Sequence, residues 1–315
     1  MVDLSVDIAG IHLQNPVIAA SGTFGFGLEF ADFVKLDQVG AVCVKGLSLH
    51  PSSGNTGRRT VETPSGLLNA IGLENPGSEY FLEHILPKLR EQKVKVIANI
   101  YGHSVQEYAD VARALDVDGI CAVEINISCP NVKQGGLSFG TDPSCAAEVV
   151  RAVKKNTHKP VITKLSPNVT DIVCLAKAVE NAGSDALSLI NTLLGMKIDV
   201  EKERPVLGNI QGGLSGPAVR PVAVRMVYQT AQQVNIPIIG MGGITNADDA
   251  LEFMLAGASA VAVGTANLYQ PDTLATITKG LRTYCVSHQL PRLQDIVGRA
   301  LPQGKESMPY LAKRG

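Results

Sequence analysis

Eight short apolar runs recur along the 315 residues, each bounded by Gly, Pro or Asn and separated from the next by a stretch of other spacing. They are PVIAAS (16–21), GAVCVKG (40–46), VKVIANI (94–100), ICAVEINIS (120–128), PVITKLS (160–166), ALSLINT (186–192), IPIIGMGG (236–243) and AVAVGT (260–265). A run that is apolar throughout is a strand buried on both faces, and strands joined by helices pair in parallel. Eight such units predict an α/β fold, a closed (β/α)8 TIM barrel. The competing arrangement is an open doubly wound sheet, which calls for a G-x-G-x-x-G turn after its first strand; SGTFGFG at 21–27 fits that pattern poorly. The intervening stretches include SVQEYADVARAL, SCAAEVVRAVKKN, VTDIVCLAKAVENAG, AVRPVAVRMVYQTAQQV and ADDALEFMLAG, all amphipathic at helical spacing. Ser104 with Glu107, and Thr245 with Asp248, have the spacing of reciprocal N-terminal caps, and Asp142 before Pro143 suits an N-cap and first helical position.

The length allows two domains at ~150 residues each, but barrels commonly use ~250 residues as one unit. No short repeat or low-complexity linker marks a boundary, so residues 1–315 read as one domain with its core at about 16–290. Residues 2–15, VDLSVDIAGIHLQN, read as a β-hairpin closing the bottom of the barrel, and about 302–315 as a fraying tail. Charged residues are 18% of the chain, against a usual share of roughly 25%, and apolar residues 45%, which provides for a large interior. A net charge of −1 offers no field for nucleic acid, and no basic cluster reads as a membrane-surface patch. No apolar run approaches the ~18 residues of a membrane span. Asp3 and Asp7, with no early basic residue, do not suit a signal peptide, so the expected location is cytoplasmic. The six cysteines show no C-x-x-C and no metal-binding spacing, so reduced thiols and no metal are expected. Cys43 and Cys121 in strand-like runs, and Cys145, Cys174 and Cys285 in helix-like ones, read as small hydrophobes. Cys129 is the exception.

Two connections are too long for simple turns: 47–77, containing TPSGLLNAIGLENPG, and 193–215, containing VLGNIQGGLSG. Loops longer than ~12–15 residues in a compact domain are usually functional, and in a barrel the loops leaving the C-terminal strand ends build the active site. Polar residues stand at those ends: Lys45, Asn99, Asn126, Lys164, Asn191 and Thr192. Two buried lysines imply an anion, a carboxylate partner or a ligand accepting their hydrogen bonds, and Glu124 is the candidate counter-ion of a purely structural pair. GMGGITNADD after the seventh strand and VGTANL after the eighth suit a phosphate held by backbone N–H groups and a helix N-terminus. A sugar phosphate, pyridoxal phosphate and flavin mononucleotide (FMN) are all open on this pattern.

Cys129 follows the fourth run and precedes Pro130. Alternation puts Glu124, Asn126 and Ser128 on one face and leaves Cys129 out of phase at the start of the glycine-bearing loop NVKQGGLSFGT. A thiol with an ordinary pKa of ~8.5 needs a field favouring thiolate before it serves as a base, and nearby lysines would supply one. The loop would then act as a lid carrying the base. A buried cysteine at a strand end is the plainer alternative.

NISCPN (126–131), TPSGLLNAIGLENPG (63–77), VCVKG (42–46), SLINT (188–192), GLSGPA (213–218), GMGGI (240–244) and VGTA (263–266) together resemble dihydroorotate dehydrogenase, the flavoenzyme of pyrimidine biosynthesis. The resemblance runs from Ser21 to about Tyr269. Members with a serine base and a membrane-associated N-terminal extension fit poorly; the cysteine-based class 1 fits, and LNAIGLENPG is most similar to the NAD-linked class 1B catalytic subunit. The resemblance implies that Cys129 is the base taking a proton from C5 of dihydroorotate while a hydride leaves C6 for N5 of FMN. It implies orotate contacts at Lys45, Asn69, Ala70, Ile71, Gly72, Leu73, Asn126, Asn191 and Thr192. It implies contacts to one FMN per chain at Ser21, Lys45, Gly46, Asn99, Asn126, Lys164, Ile190, Gly216, Gly242, Gly243, Gly264 and Thr265. It further implies a partner electron-transfer subunit carrying FAD and a [2Fe-2S] cluster, passing electrons to NAD+ within a heterotetramer built on a catalytic homodimer. The amides of Asn69, Asn126 and Asn191 both donate and accept, which suits a pyrimidine ring. Lys164 suits charge developing on a reduced flavin.

Three rivals remain. A class 1A enzyme would use fumarate without a partner, a Schiff-base aldolase would use Lys164 or Lys45, and a flavin-binding scaffold would hold FMN without forming orotate.

Overall fold

The computed structural model describes residues 2–127, 133–134 and 137–302, and within them the eight apolar runs form parallel strands closed into a barrel. The strands are β1 (Val17–Ala19), β2 (Ala41–Cys43), β3 (Val96–Ile100), β4 (Ile120–Asn126), β5 (Val161–Lys164), β6 (Ala186–Leu189), β7 (Ile238–Met241) and β8 (Ala260–Val263). Each pairs with its neighbours in sequence, and β8 closes on β1 with Val261 opposite Val17. The strands are shorter than the runs because the last residues of each diverge into loops. Lys45, Asn191 and Thr192 therefore lie just beyond the ladder.

Around the barrel lie α1 (78–91), α2 (Val105–Ala114), α3 (Pro143–Lys154), α4 (Ile172–Asn181), α5 (Arg220–Ala231), α6 (Ala247–Leu255), α7 (Ala266–Tyr269) and α8 (Thr273–Ser287). After β1 the chain makes short 3-10 turns, Leu28–Phe30 and Leu36–Gln38, instead of a helix. Gly22, Gly25 and Gly27 hold φ of 85°, 54° and 99° there, which interrupts helical winding, and buried Phe24 stacks on Phe30 at 4.0 Å between ring centroids.

The caps of α2 and α3 follow the sequence. Ser104 accepts from the Glu107 amide at 3.2 Å and Asp142 from the Cys145 amide at 2.9 Å. The cap of α6 sits one residue later than the Thr245–Asp248 spacing predicts. Asn246 accepts from the Asp249 amide at 3.0 Å, and the Asp249 carboxylate accepts from the Thr245 amide at 2.8 Å. Asp249 is buried and ion-paired with Arg220 of α5, so a tertiary partner sets the register.

Alternation divides the barrel interior into layers. Small and apolar residues, Ala41, Ile97, Ala122, Ile162, Ala186 and Ala260, fill its lower part. The alanines leave room for the predicted hairpin, Val6–Ile8 against Ile11–Leu13, whose Val6, Ile8, Ile11 and Leu13 are buried in the same cluster. Its two-residue turn, Ala9 and Gly10, has φ of 54° and 83°, the left-handed pair that matches strand twist. Higher on the same inward face stand Cys43, Asn99, Glu124, Lys164 and Ser188, all buried.

The two long connections, expected as loops, contain strands that pair with each other. Thr60–Thr63, Gly66–Asn69, Gln211–Ser215 and Leu193–Met196 form an antiparallel sheet in that spatial order. Gly212 and Gly213 look like breakers in sequence, yet close approach is their function. A Cβ on Gly213 would lie 2.0 Å from Thr192 Oγ1, and one on Gly212 2.6 Å from the Asn69 carbonyl oxygen. Five cysteines are free thiols on the expected strands and helices. Cys174 departs from the expectation of burial, because it is exposed in the first turn of α4. The tail beyond residue 302 lies outside the described residues.

Candidate active site

A cavity of about 1510 Å³ opens at the C-terminal mouth of the barrel and is roofed by the antiparallel sheet. Every candidate site residue within the described chain lines it. Ser21, Lys45, Gly46, Asn99, Asn126 and Lys164 arrive from the ends of β1 to β5. Ile190, Asn191 and Thr192 follow β6, Gly242 and Gly243 follow β7, and Gly264 and Thr265 follow β8. The long connections bring Asn69, Ala70, Ile71, Gly72 and Leu73 from one side and Gly216 from the other. Cys129, the candidate base, lies outside the described residues. The chain leading to it ends at buried Ile127 and resumes its described burial at Phe139, whose ring meets Tyr108 edge-on at 6.0 Å. Between them, 133–134 pair antiparallel with 137–138.

One end of the cavity presents backbone donors on glycine turns. Gly242 and Gly243 hold φ of 129° and 76°, and a Cβ on Gly243 would lie 2.7 Å from the Gly216 carbonyl oxygen, so the two turns touch through glycine. The N–H groups of Gly243, Gly264 and Thr265 donate to no acceptor among the described residues. A Cβ on Gly264 would meet nothing nearer than 3.7 Å, which leaves its amide approachable. Such amides fit a phosphate. Thr265 Oγ1 donates to Ser215 Oγ at 2.7 Å, tying the turn after β8 to the roof.

The other end presents amides and ammonium groups. Asn191 Nδ2 donates to Asn126 Oδ1 at 3.3 Å, and Asn191 Oδ1 accepts from the Thr192 amide at 2.8 Å, so the two asparagines hold each other. Tyr108 of α2 donates its hydroxyl to the Asn126 carbonyl at 2.7 Å and fixes the end of β4. Lys164 is buried with its Nζ 3.8 Å from Glu124 Oε1. It therefore has the counter-ion of the structural reading and also faces the cavity, as the ligand reading requires. The ammonium of half-buried Lys45 has no hydrogen bond or ion pair among the described residues. Asn99 Oδ1 is buried and likewise has no partner among them. A buried polar atom left unpaired is costly, and this one stands in the wall of the cavity.

Segment 69–73 is held by residues that sequence reasoning did not single out, Asn55 and Tyr101 in the cavity lining and Asn75 outside it. Asn55 donates from its backbone to the Ile71 carbonyl at 2.9 Å and from Nδ2 to the Ala70 carbonyl at 3.0 Å. The Leu73 carbonyl accepts from Tyr101 Oη at 3.0 Å and from Asn75 Nδ2 at 2.9 Å. Leu73 itself has φ of 59°, a conformation that needs such support in a residue with a side chain. The available signals were a tyrosine directly after the third apolar run and an asparagine inside LENPG.

Unused amides after the last two strands, lining a roofed cavity at the barrel mouth, place the chain among (β/α)8 proteins whose last two loops suit a phosphate group. The family model described as dihydroorotate dehydrogenase matches residues 3–284. "Dihydroorotate dehydrogenase B (NAD(+)), catalytic subunit" of Citrifermentans bemidjiense is 57% identical over 297 residues, covering 94% of this chain and 97% of that protein. Proteins of the same name from Geobacter sulfurreducens and Desulforamulus reducens are 56% and 55% identical, over 94% and 95% of this chain and 97% and 99% of theirs. The chain belongs to the dihydroorotate dehydrogenase family and is an oxidoreductase.

Proposed function

We propose that this protein oxidises (S)-dihydroorotate to orotate in pyrimidine biosynthesis, as the catalytic subunit of an NAD-linked enzyme with FMN in the cavity. The observation that carries the reading is the convergence of every described candidate residue on one cavity, with unused amides at one end and asparagine amides at the other. The identity of more than half the residues to proteins named as such subunits supports it. The turns of Gly216, Gly242, Gly243, Gly264 and Thr265 would hold the phosphate. Ser21, Lys45, Gly46, Asn99, Asn126, Lys164 and Ile190 would hold the rest of the cofactor. When bound, FMN supplies a two-electron acceptor for the hydride leaving C6.

Asn69, Asn126 and Asn191, with Lys45, Thr192 and segment 70–73, orient the pyrimidine ring. Cys129, as thiolate, takes the C5 proton; the C5–H electron pair becomes the new C5=C6 bond as the hydride departs. The fixed charge of Lys164 favours the reduced cofactor. The sheet of the two long connections keeps water from the ring. Electrons would continue through a partner subunit bearing FAD and [2Fe-2S] to NAD+, in a heterotetramer built on a homodimer. No helix among the described residues is long and apolar enough to cross a membrane, and a cytoplasmic location is proposed.

The test is the absorption spectrum of the purified chain, followed by anaerobic dihydroorotate. A flavin spectrum bleached by substrate is expected, and Cys129→Ser should slow bleaching by roughly 10²-fold or more. A colourless protein, or a flavin that substrate leaves oxidised, overturns the activity. Rapid bleaching of the Cys129→Ser protein removes the cysteine from the mechanism. Fumarate-dependent turnover by the chain alone overturns the NAD linkage.

A further inference from the structure

Directly beneath the cavity, and lining none of it, is a buried carboxylate. Glu124 points inward from β4 and is 3% exposed, above a layer of aliphatic and small residues and beside buried Lys164. Donors from four other strands surround it. Oε1 accepts from Asn99 Nδ2 of β3 at 2.6 Å and from Cys43 Sγ of β2 at 3.2 Å, and Oε2 accepts from Ser188 Oγ of β6 at 2.7 Å. The Lys164 ammonium of β5 is 3.8 Å from Oε1. An ionised carboxylate only accepts, and this environment consists of donors. Burial, reinforced by the charge of Glu124, raises the Cys43 thiol well above its ordinary pKa, so it remains an S–H donor.

This arrangement decides what its neighbours present upward. An asparagine amide can turn either way, but a carboxylate takes only its NH2, so Asn99 must direct Oδ1 elsewhere. That oxygen is the unpaired buried atom, packed toward cavity-lining Gly46, 2.9 Å from where a Cβ on Gly46 would stand. Lys164 is held by charge at a distance beyond hydrogen bonding, which leaves its N–H groups for a ligand.

We propose that Glu124 is a positioning residue of the flavin site: through Asn99 it fixes a lone acceptor in the cavity wall, through Lys164 it holds a cation that faces the cavity, and it thereby sets the electron affinity of the flavin. This rests on the FMN reading given under the proposed function. Its sign follows from charge: the anion behind Lys164 offsets part of the field that favours an added electron.

The test is Glu124→Gln, loaded with FMN, with the visible spectrum and midpoint potential measured per bound flavin by dye-coupled reductive titration. The flavin bands should be displaced, because Asn99 loses its enforced orientation, and the potential should become more positive. Ser188→Ala keeps the anion, removes one compensating O–H dipole and should make the potential more negative; it carries the test if the glutamine variant does not fold. A purely structural role would lower stability or flavin content and leave spectrum and potential per bound flavin as in the wild type, which overturns the proposal. A colourless wild-type protein overturns the flavin reading and this proposal together, whereas a yellow wild type with unaltered variants overturns this proposal alone.

Discussion

Tyr101→Phe removes one oxygen from the support of the substrate segment and leaves the buried ring in place. The hydroxyl is within 3.0 Å of three groups: the Leu73 carbonyl, Asn75 Nδ2 and Ser48 Oγ. Ser48 has a single hydrogen and a shorter acceptor in the His50 carbonyl at 2.7 Å, and the two hydrogens of Asn75 Nδ2 have shorter acceptors at 2.9 Å, so one hydrogen bond, to the Leu73 carbonyl, depends on the tyrosine. Neither partner is orphaned by the change. Leu73 keeps Asn75 Nδ2 at 2.9 Å, and Asn75 Nδ2 also keeps Ser48 Oγ at 2.9 Å. The loss is therefore the net worth of one neutral bond, about 0.5–1.5 kcal/mol, without an added desolvation penalty. In the proposed function this bond joins the barrel wall to a segment that touches the pyrimidine before and during reaction alike, so its loss weakens uniform binding. The expected result is a KM for dihydroorotate raised about 2- to 12-fold with kcat nearly unchanged. Steady-state kinetics with an artificial acceptor measure the first, and orotate titration of the flavin absorbance gives the matching loss of affinity. An unchanged KM and orotate affinity in a protein of lower Tm would show that the anchor is not felt in the cavity.

Gly213→Ala places a Cβ 2.0 Å from Thr192 Oγ1, and displacing that side chain should cost about 1–3 kcal/mol of stability and weaken orotate binding, read by thermal melting and titration. Lys164→Met leaves Glu124 buried without its cation; removing one partner of such a pair costs ~3–5 kcal/mol, and the lower end is expected in urea unfolding because Asn99 and Ser188 still hold the carboxylate. Asp142→Ala removes the cap of α3 and should cost about 1 kcal/mol at neutral pH, measured from urea midpoints. The Ser144 hydroxyl, then the Cys145 amide, lower the Asp142 pKa below 3.8, so its contribution is present above that pH and fades as pH falls through the lowered folded value; the gap between wild type and Asp142→Ala should narrow on the acid side only.

The barrel and its mouth were legible because both break local expectation. Runs apolar at every position have no solvent face, which leaves parallel strands covered on both sides. Within such runs Asn99, Asn126 and Lys164 are conspicuous, and in-phase alternation delivers them to one cavity. The roof was not legible, because the pairing of Gly66–Asn69 with Gln211–Ser215 joins segments far apart in sequence, and its glycines look locally like turns. The α6 cap register was hidden for the same reason, since Arg220 selects Asp249 across 29 positions. Glu124 shows where the sequence signal stops. It stands two residues before Asn126 on the same strand face and is equally anomalous among apolar neighbours, yet Asn126 faces the cavity and Glu124 lies outside its lining, bonded to Asn99. A polar residue inside an apolar strand thus marks the barrel axis; whether it meets a ligand or holds another residue to the ligand depends on its layer, and only closure of the barrel assigns the layer.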